Sequence, residues 1–161
     1  MNSSQSDVQT RLANSDDAEN ITALINVAFR QAENFFVEGD RIDLKTVLKF
    51  LETGEFLLAE DQGSLNGCVY LERRGNRSYP GLLSVDPSRQ QKGMGSLLMT
   101  TAEEYCRARK DRFIDILIVN LREELPSFYG KRGYVETGIS PFPKDVETKV
   151  PCHFINMSKA L

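Results

Sequence analysis

The residues best equipped for chemistry fall in two stretches. The first is Ser-Arg-Gln-Gln-Lys-Gly-Met-Gly-Ser, from Ser88 to Ser96, between an apolar segment ending in Val85-Asp86-Pro87 and a helical pattern beginning near Met94. A helix N-terminus presents unpaired backbone N–H groups and the positive end of the macrodipole, so it suits an anion. Gly93 and Gly95 let main chain approach a ligand closely, and Arg89 and Lys92 add positive charge. A phosphate or pyrophosphate is the natural guest; the plain alternative is a strand-to-helix turn whose glycines ease a tight corner. The second stretch is Phe128-Tyr129-Gly130-Lys131-Arg132-Gly133-Tyr134. A tyrosine phenol, with an ordinary pKa of about 10, stays protonated at neutral pH and can donate to a departing anion. Phe128 and Tyr129 also read as helix residues packing on a sheet. Farther on, Cys152-His153 adds a thiol and the only histidine, whose intrinsic pKa suits base work but which on a strand is equally a hydrogen-bonded core group.

Two nucleotide-binding patterns fail on the glycine loop. A GxxxxGK[ST] phosphate loop is absent. A dinucleotide fingerprint needs GxGxxG, but Gly93-Met94-Gly95-Ser96-Leu97-Leu98 has leucine at the third glycine. The stretch also lies in mid-chain, and Asp115, at about the right distance downstream, sits near the start of its strand instead of the end.

The elements that must position these residues follow from periodicity. Capping residues and acids in "NSDDAENITALINVAFR" precede Ile21, Leu24, Ile25 and Ala28, a helical spacing. Leu44, Val47, Leu48 and Leu51 spell a second helix that Gly54 ends. "EFLLAE", "LNGCVYLER" and "SYPGLLSV", separated by "DQGS" and "RGNR", read as an antiparallel meander. A long helix from near Met94 carries Leu97, Leu98, Thr101 and Tyr105 on one face; "RFIDILIV" is a buried strand; a short helix covers about Leu125 to Lys131. "YVETGIS" and "CHFINMSKA" close the chain around the excursion "PFPKDVETKVP". With a first strand at Val8 to Leu12 the order is βααβββαβαββ. This is a mixed α/β (α+β) domain of about seven strands and four helices spanning 8–161, behind a polar tail at 1–7 expected to be flexible. The helix between them makes "SYPGLLSV" and "RFIDILIV" parallel neighbours.

With these elements in place, the chain resembles the GCN5-related N-acetyltransferase (GNAT) superfamily. Gln90-Gln91-Lys92-Gly93-Met94-Gly95 matches its [QR]-x-x-G-x-[GA] signature, the strand ending Leu-Ser-Val-Asp-Pro precedes it, and Pro126 to Tyr134 looks like its xxxYxxxGF segment. The element order resembles that fold over nearly the whole chain. The resemblance implies a centrally splayed sheet and acetyl-CoA as acyl donor. Gln90, Gln91, Lys92, Gly93, Met94, Gly95 and Ser96 would hold the pyrophosphate, and the main chain of Leu83, Ser84 and Val85 would pair with the pantetheine like an added strand. Pro80-Gly81 is the expected irregularity that helps the strands part, the plain alternative being that both simply end a turn. Tyr129 matches the family tyrosine that protonates the coenzyme A thiolate. Glu72, directly or through a water, and His153 are the candidate bases. Cys152 is not expected to carry the acyl group, because relatives use direct attack in a ternary complex. Where relatives carry an asparagine seven residues before the tyrosine this chain has Arg122, and Asn120 takes the cofactor contact only if the register shifts. The implied activity is N-acetyl transfer to a small-molecule amine or a peptide N-terminus. The alternative in another class is a catalytically silent coenzyme A-binding regulatory module.

Composition narrows the setting. A net charge of −3 gives no general attraction to nucleic acid. No apolar stretch is long enough to span a membrane, and there is no basic-then-apolar leader. Three cysteines, an odd number without a CxxC spacing, argue for a reducing compartment, so a cytoplasmic location is expected, and no metal site. A homodimer is compatible with the family, but no interface stripe stands out. The acceptor side is expected between "QAENFFVEGDRID" and "PFPKDVETKVP", where Glu33, Glu38 and Asp40 suit a cationic amine and Arg30 and Arg41 a carboxylate.

Overall fold

The structure is a computed structural model that describes residues 8–161, without the side chains of residues 90–92. The expected tail at 1–7 lies outside the described residues. In chain order the elements are β1 (Val8–Leu12), a 3-10 turn (Ser15–Asp17), α1 (Ala18–Glu33), α2 (Leu44–Thr53), β2 (Glu55–Asp61), β3 (Ser64–Arg74), β4 (Arg77–Val85), a 3-10 segment (Pro87–Lys92), α3 (Met94–Ala108), β5 (Phe113–Val119), α4 (Leu125–Gly130), β6 (Val135–Pro141) and β7 (His153–Ala160). This is the order read from the sequence, and the seven strands form one sheet in the order β1-β2-β3-β4-β5-β7-β6.

Local chemistry starts the first two helices. Asn14 accepts from the Asp16 N–H at 2.8 Å while Asp17 accepts from the Asn14 N–H at 2.8 Å, a reciprocal cap that launches the turn into α1. Asp43 caps α2 by accepting from the Thr46 N–H at 2.8 Å. The central strands are buried on both faces, so their sequences read as unbroken apolar runs. Phe56, Leu58, Cys68 and Tyr70 face α1 and α2, whereas Leu57, Ala59, Val69 and Leu71 face α3.

Two helix faces differ from their expected stripes. In α3 the buried positions are Met94, Leu98, Met99, Ala102, Glu103 and Cys106, and Leu97 is 36% exposed. The reason is the close approach of α3 to β3: a Cβ at Gly67 would lie 2.8 Å from Leu98 Cδ1, so Leu98 fills the notch left by this glycine and sets the rotation of the helix. In α2 only Val47 is fully buried, and Leu48 remains 40% exposed on the rim.

The sheet parts at its centre. β4 and β5 are parallel but paired only at Arg77↔Phe113 and Ser78↔Ile114, while the other edge of β5 pairs with β7 along Phe113 to Val119. From Tyr79 onward β4 therefore diverges from β5 and leaves a wedge between them. A bulge sits in the diverging half: Cys68 pairs with Ser84 and Tyr70 with Gly81, so Val69 faces both Leu82 and Leu83. The irregularity is thus just past the expected Pro80-Gly81. Leu82 takes a φ of 56°, a left-handed conformation that costs a non-glycine residue roughly 1–2 kcal/mol. The extra residue flips side-chain parity: Ser78 points to α3, where it bonds Arg109, and so do Leu83 and Val85 after the bulge.

Candidate active site

The wedge opens into a cleft of about 350 Å³. Leu83 and Val85 of β4 form one wall, Gly93, Gly95 and Ser96 the floor, Leu125 and Phe128 of α4 the opposite wall, and Ala28, Phe29 and Ala32 of α1 the roof. Arg122 and Glu124, from the loop between β5 and α4, stand at its side. A second groove of about 520 Å³ runs on between α3 and α4, sharing Ser96, Glu124 and Phe128 and adding Ser127, Lys131 and Arg132.

The start of α3 is built to receive an anion. Gly93 holds a φ of 71°, the left-handed turn that glycine adopts without strain, and no side chain among the described residues caps the helix. The Leu97 N–H donates to Gly93 O at 3.0 Å, so the Met94, Gly95 and Ser96 amides precede the ladder. Met94 is buried and Ser84 is buried with its Oγ donating to Leu82 O at 2.9 Å; both can offer only main chain to a ligand. The expected contributions of Gln90, Gln91 and Lys92 fall on side chains outside the described residues. Arg89 is not a mobile phosphate ligand here: its guanidinium donates to Asp61 at 3.0 Å and ties the segment after β4 to β2.

Tyr129 is 6% exposed and packs edge-on against Phe128 and Tyr134, with centroids 4.9 and 5.5 Å away. Burial pushes its phenol up to about 12, against the opposing fields of Arg122 and Arg132. The cleft wall itself is Phe128, the neighbouring residue.

The two candidate bases lie at opposite ends of the sheet. Glu72 pairs with Tyr79 of β4, next to the closed Arg77–Ser78 end of the wedge. Its Oε2 accepts from Arg74 at 2.8 Å and its Oε1 from the Tyr70 hydroxyl at 2.9 Å, and these bonds hold its carboxyl below the ordinary value. His153 begins β7 at the open end, opposite Asn120. The Asn120 Oδ1 accepts from the His153 N–H at 2.8 Å, so that oxygen is engaged in the sheet, while Arg122 lines the cleft. Arg122 donates to Glu33 at 3.1 Å and to Glu124 at 2.7 Å. Among the described residues no three His, Cys, Asp or Glu side chains gather in a way that could hold a metal. Also among them, no helix is long and apolar enough to cross a membrane.

Several residues of this site went unassigned in the sequence. Phe29 and Ala32 continue the helical pattern of Ile25 and Ala28 without any mark of a ligand-facing role. Phe128 stood within a quoted motif, and Lys131-Arg132 was the only hint of the basic second groove.

Comparison with known proteins agrees with this geometry. A family model described as an acetyltransferase (GNAT) domain matches residues 26–161. No curated protein matches the sequence. Among solved structures, a ribosomal-protein-alanine N-acetyltransferase from Brucella melitensis is 19% identical, with 95% of this chain and 99% of that chain covered and a TM-score of 0.78. PaiA N-acetyltransferase from Thermoplasma acidophilum, in complex with coenzyme A, is 17% identical over 96% and 99% of the two chains, with a TM-score of 0.79. The ribosomal-protein-S18-alanine N-acetyltransferase from Escherichia coli is 14% identical over 95% and 93%, with a TM-score of 0.73.

Proposed function

The chain belongs to the GNAT acetyltransferase family, and on that premise we propose that it is an acetyl-CoA-dependent N-acetyltransferase, carrying an acetyl group from a thioester to a primary amine by direct attack with both substrates bound. The observation that carries the reading is the wedge between β4 and β5 opening onto the uncapped first turn of α3. One cleft thereby offers an unpaired strand edge to an extended amide chain and a cluster of N–H donors to a pyrophosphate. That donor set fits coenzyme A, and the second groove offers the charge of Lys131 to its remaining phosphate, with Arg132 beside it held by Thr100 and Glu103.

Bound acetyl-CoA supplies an activated acetyl thioester. The main chain of Leu83, Ser84 and Val85 holds the pantetheine as an added strand, and the segment from Gln90 to Ser96 holds the pyrophosphate. A main-chain N–H at the Leu83–Val85 strand end, just past the bulge, would serve the acetyl oxygen, where negative charge develops. Tyr129 keeps its proton at Oη for the departing thiolate, and a phenol pushed up to about 12 is fully protonated at neutral pH. Of the two bases His153 is the better situated, because it stands at the open end, whereas both oxygens of Glu72 are engaged. Much of the remaining acceleration comes from holding amine and thioester together. The acceptor is a small amine or a peptide N-terminus; two of the similar structures are named as ribosomal-protein-alanine N-acetyltransferases. Three free cysteines suit a reducing, cytoplasmic setting.

The catalytically silent coenzyme A-binding module is favoured by one observation, that Phe128 and not Tyr129 lines the cleft. A thermal-shift titration combined with an amine screen tests both. A ligand that binds only the native state raises the melting temperature by mass action, so acetyl-CoA raises it and NAD does not. Stabilisation together with acetylated product supports the enzyme, stabilisation without product supports the module, and no stabilisation sinks both.

A further inference from the structure

Resting on the acetyltransferase reading, we propose that Glu33 is the acceptor-binding residue and that the acceptor is a small ammonium compound without a carboxylate beside its amine. Glu33 closes α1 one residue after Ala32, and Phe29 and Ala32 line the cleft. Its side chain is only 15% exposed. Arg122, itself a cleft residue, donates to Glu33 Oε2 at 3.1 Å, but it divides its guanidinium between Glu33 and Glu124. Glu33 Oε1 makes no hydrogen bond to any described residue. Burial raises the carboxyl against the fields of Arg122 and Arg41, with Glu124 adding to the rise, so its charge is under-solvated and gains from a cation.

The excursion between β6 and β7 is fastened to the chain just past the end of α1. The Lys149 N–H donates to the Phe36 carbonyl at 2.8 Å, and its Nζ donates to the Asn34 carbonyl at 3.1 Å and lies 3.4 Å from Glu38. Cys152, on the same strap, feels the Glu33 charge, which joins burial in raising its thiol. Lys149 thus ties the strap to Asn34, Phe36 and Glu38, just past Glu33. A carboxylate enclosed in this way suits a compact ammonium group. A second carboxylate on the acceptor would face Glu33 and Glu124 with Arg122 already engaged by both, Arg30 paired with Asp40 and Arg41 held over the Phe29 ring, and a polypeptide end would have to displace the Lys149 tie.

The test is competition for acetyl-CoA between matched amines, phenylethylamine against phenylalanine and ethanolamine against serine, with an N-terminal-alanine peptide as a third arm. It is run on the wild type and on Glu33→Gln, whose amide oxygen still accepts from Arg122, with Glu33→Asp as the charge-retaining control. Expected is preferential acetylation of the amines lacking a carboxylate. The kcat/KM of the Gln variant should fall about 10- to 100-fold, as for the loss of a charge-assisted hydrogen bond, with partial recovery in Asp and an unchanged KM for acetyl-CoA. Preference for the amino acids or the peptide, or a Gln variant equal to wild type, overturns the proposal while leaving acetyl transfer standing. No product from any arm, with acetyl-CoA still raising the melting temperature, overturns it together with the enzymatic reading. The wild-type competition decides the substrate class even if a variant folds poorly.

Discussion

Asn120 and His153 grip each other through two hydrogen bonds: the Asn120 N–H donates to the His153 carbonyl at 2.9 Å, and the Asn120 Oδ1 accepts from the His153 N–H at 2.8 Å. The side chain thereby extends the β5–β7 ladder one step beyond Val119↔Phe154. It anchors the C-terminal end of β5, from which the next residues carry Arg122 and α4 to the cleft wall. The other edge of β5, facing β4, is left free for a ligand.

If that grip is the work of Asn120, Asn120→Ala leaves the His153 N–H unpaired and lowers stability by about 1–3 kcal/mol. Urea denaturation measures the loss. Acetyl-CoA affinity, measured by calorimetry, should change less than about threefold, which is under 1 kcal/mol. A large loss of affinity at unchanged stability would instead give the amide a direct cofactor contact.

Tyr129→Phe removes the hydroxyl proposed as proton donor and keeps the ring that packs on Phe128 and Tyr134. The expected result is a fall of about 100-fold in kcat, within the usual range for general acid catalysis, with the KM for acetyl-CoA nearly constant. Because burial holds the phenol at about 12, its ionisation should produce no descending limb in kcat at any pH below about 10. Unchanged turnover in the Phe variant would remove the acid assignment.

Gly67→Ala would put a Cβ 2.8 Å from Leu98 Cδ1 and 3.2 Å from Met94 Cγ, at the point where α3 rests on β3. Overpacking of this kind costs about 1–3 kcal/mol. Since Met94 begins the helix whose amides face the cleft, acetyl-CoA affinity should fall with stability. A variant as stable as the wild type would show that α3 can slide without consequence.

Acid sensitivity follows from the ion pairs. Hydrogen bonds from Arg11 to Asp17, from Arg77 to Asp115 and from Arg74 to Glu72 each hold the carboxyl below its ordinary value. A depressed pKa means the native state takes up the proton less readily than the unfolded chain. The stabilisation is therefore present above the ordinary carboxylate range, about pH 4, and is lost as pH falls through the lower native values. Glu33, raised by burial, acts with the opposite sign: its contribution is present at acid pH and is lost as pH rises through its native value. Urea midpoints should stay level from about pH 7 to 5 and drop below about pH 4. A drop centred near neutrality would contradict this assignment.

The element order was legible because each segment carries its own period and punctuation. Ile21, Leu24, Ile25 and Ala28 spell one helix face, and the all-apolar Leu57 to Ala59 and Val69 to Leu71 spell strands buried on both sides. The glycine loop was legible for a related reason, since an uncapped helix start needs its neighbours in sequence and nothing else. What stayed hidden depends on contacts between distant segments. No local signal marks Leu82 as the bulge residue, because a leucine at positive φ is imposed by β3 and not by its own preference. The engagement of Arg89 by Asp61, of Glu72 by Arg74 and Tyr70, and of Arg122 by Glu33 arises only when the chain folds, and each changes what a charged residue can do. The face of α3 was misread because Gly67, far away in sequence, decides which side of the helix lies down.

The most direct measurement follows an isotope-labelled acetyl group from acetyl-CoA by mass spectrometry, with the wild-type protein and a panel of primary amines. The account predicts label on the amine nitrogen of at least one acceptor, one free coenzyme A released for each acetyl transferred, and no such product without protein. Label retained in acetyl-CoA, or lost only to water at the same rate with and without amine while acetyl-CoA remains bound, would contradict it.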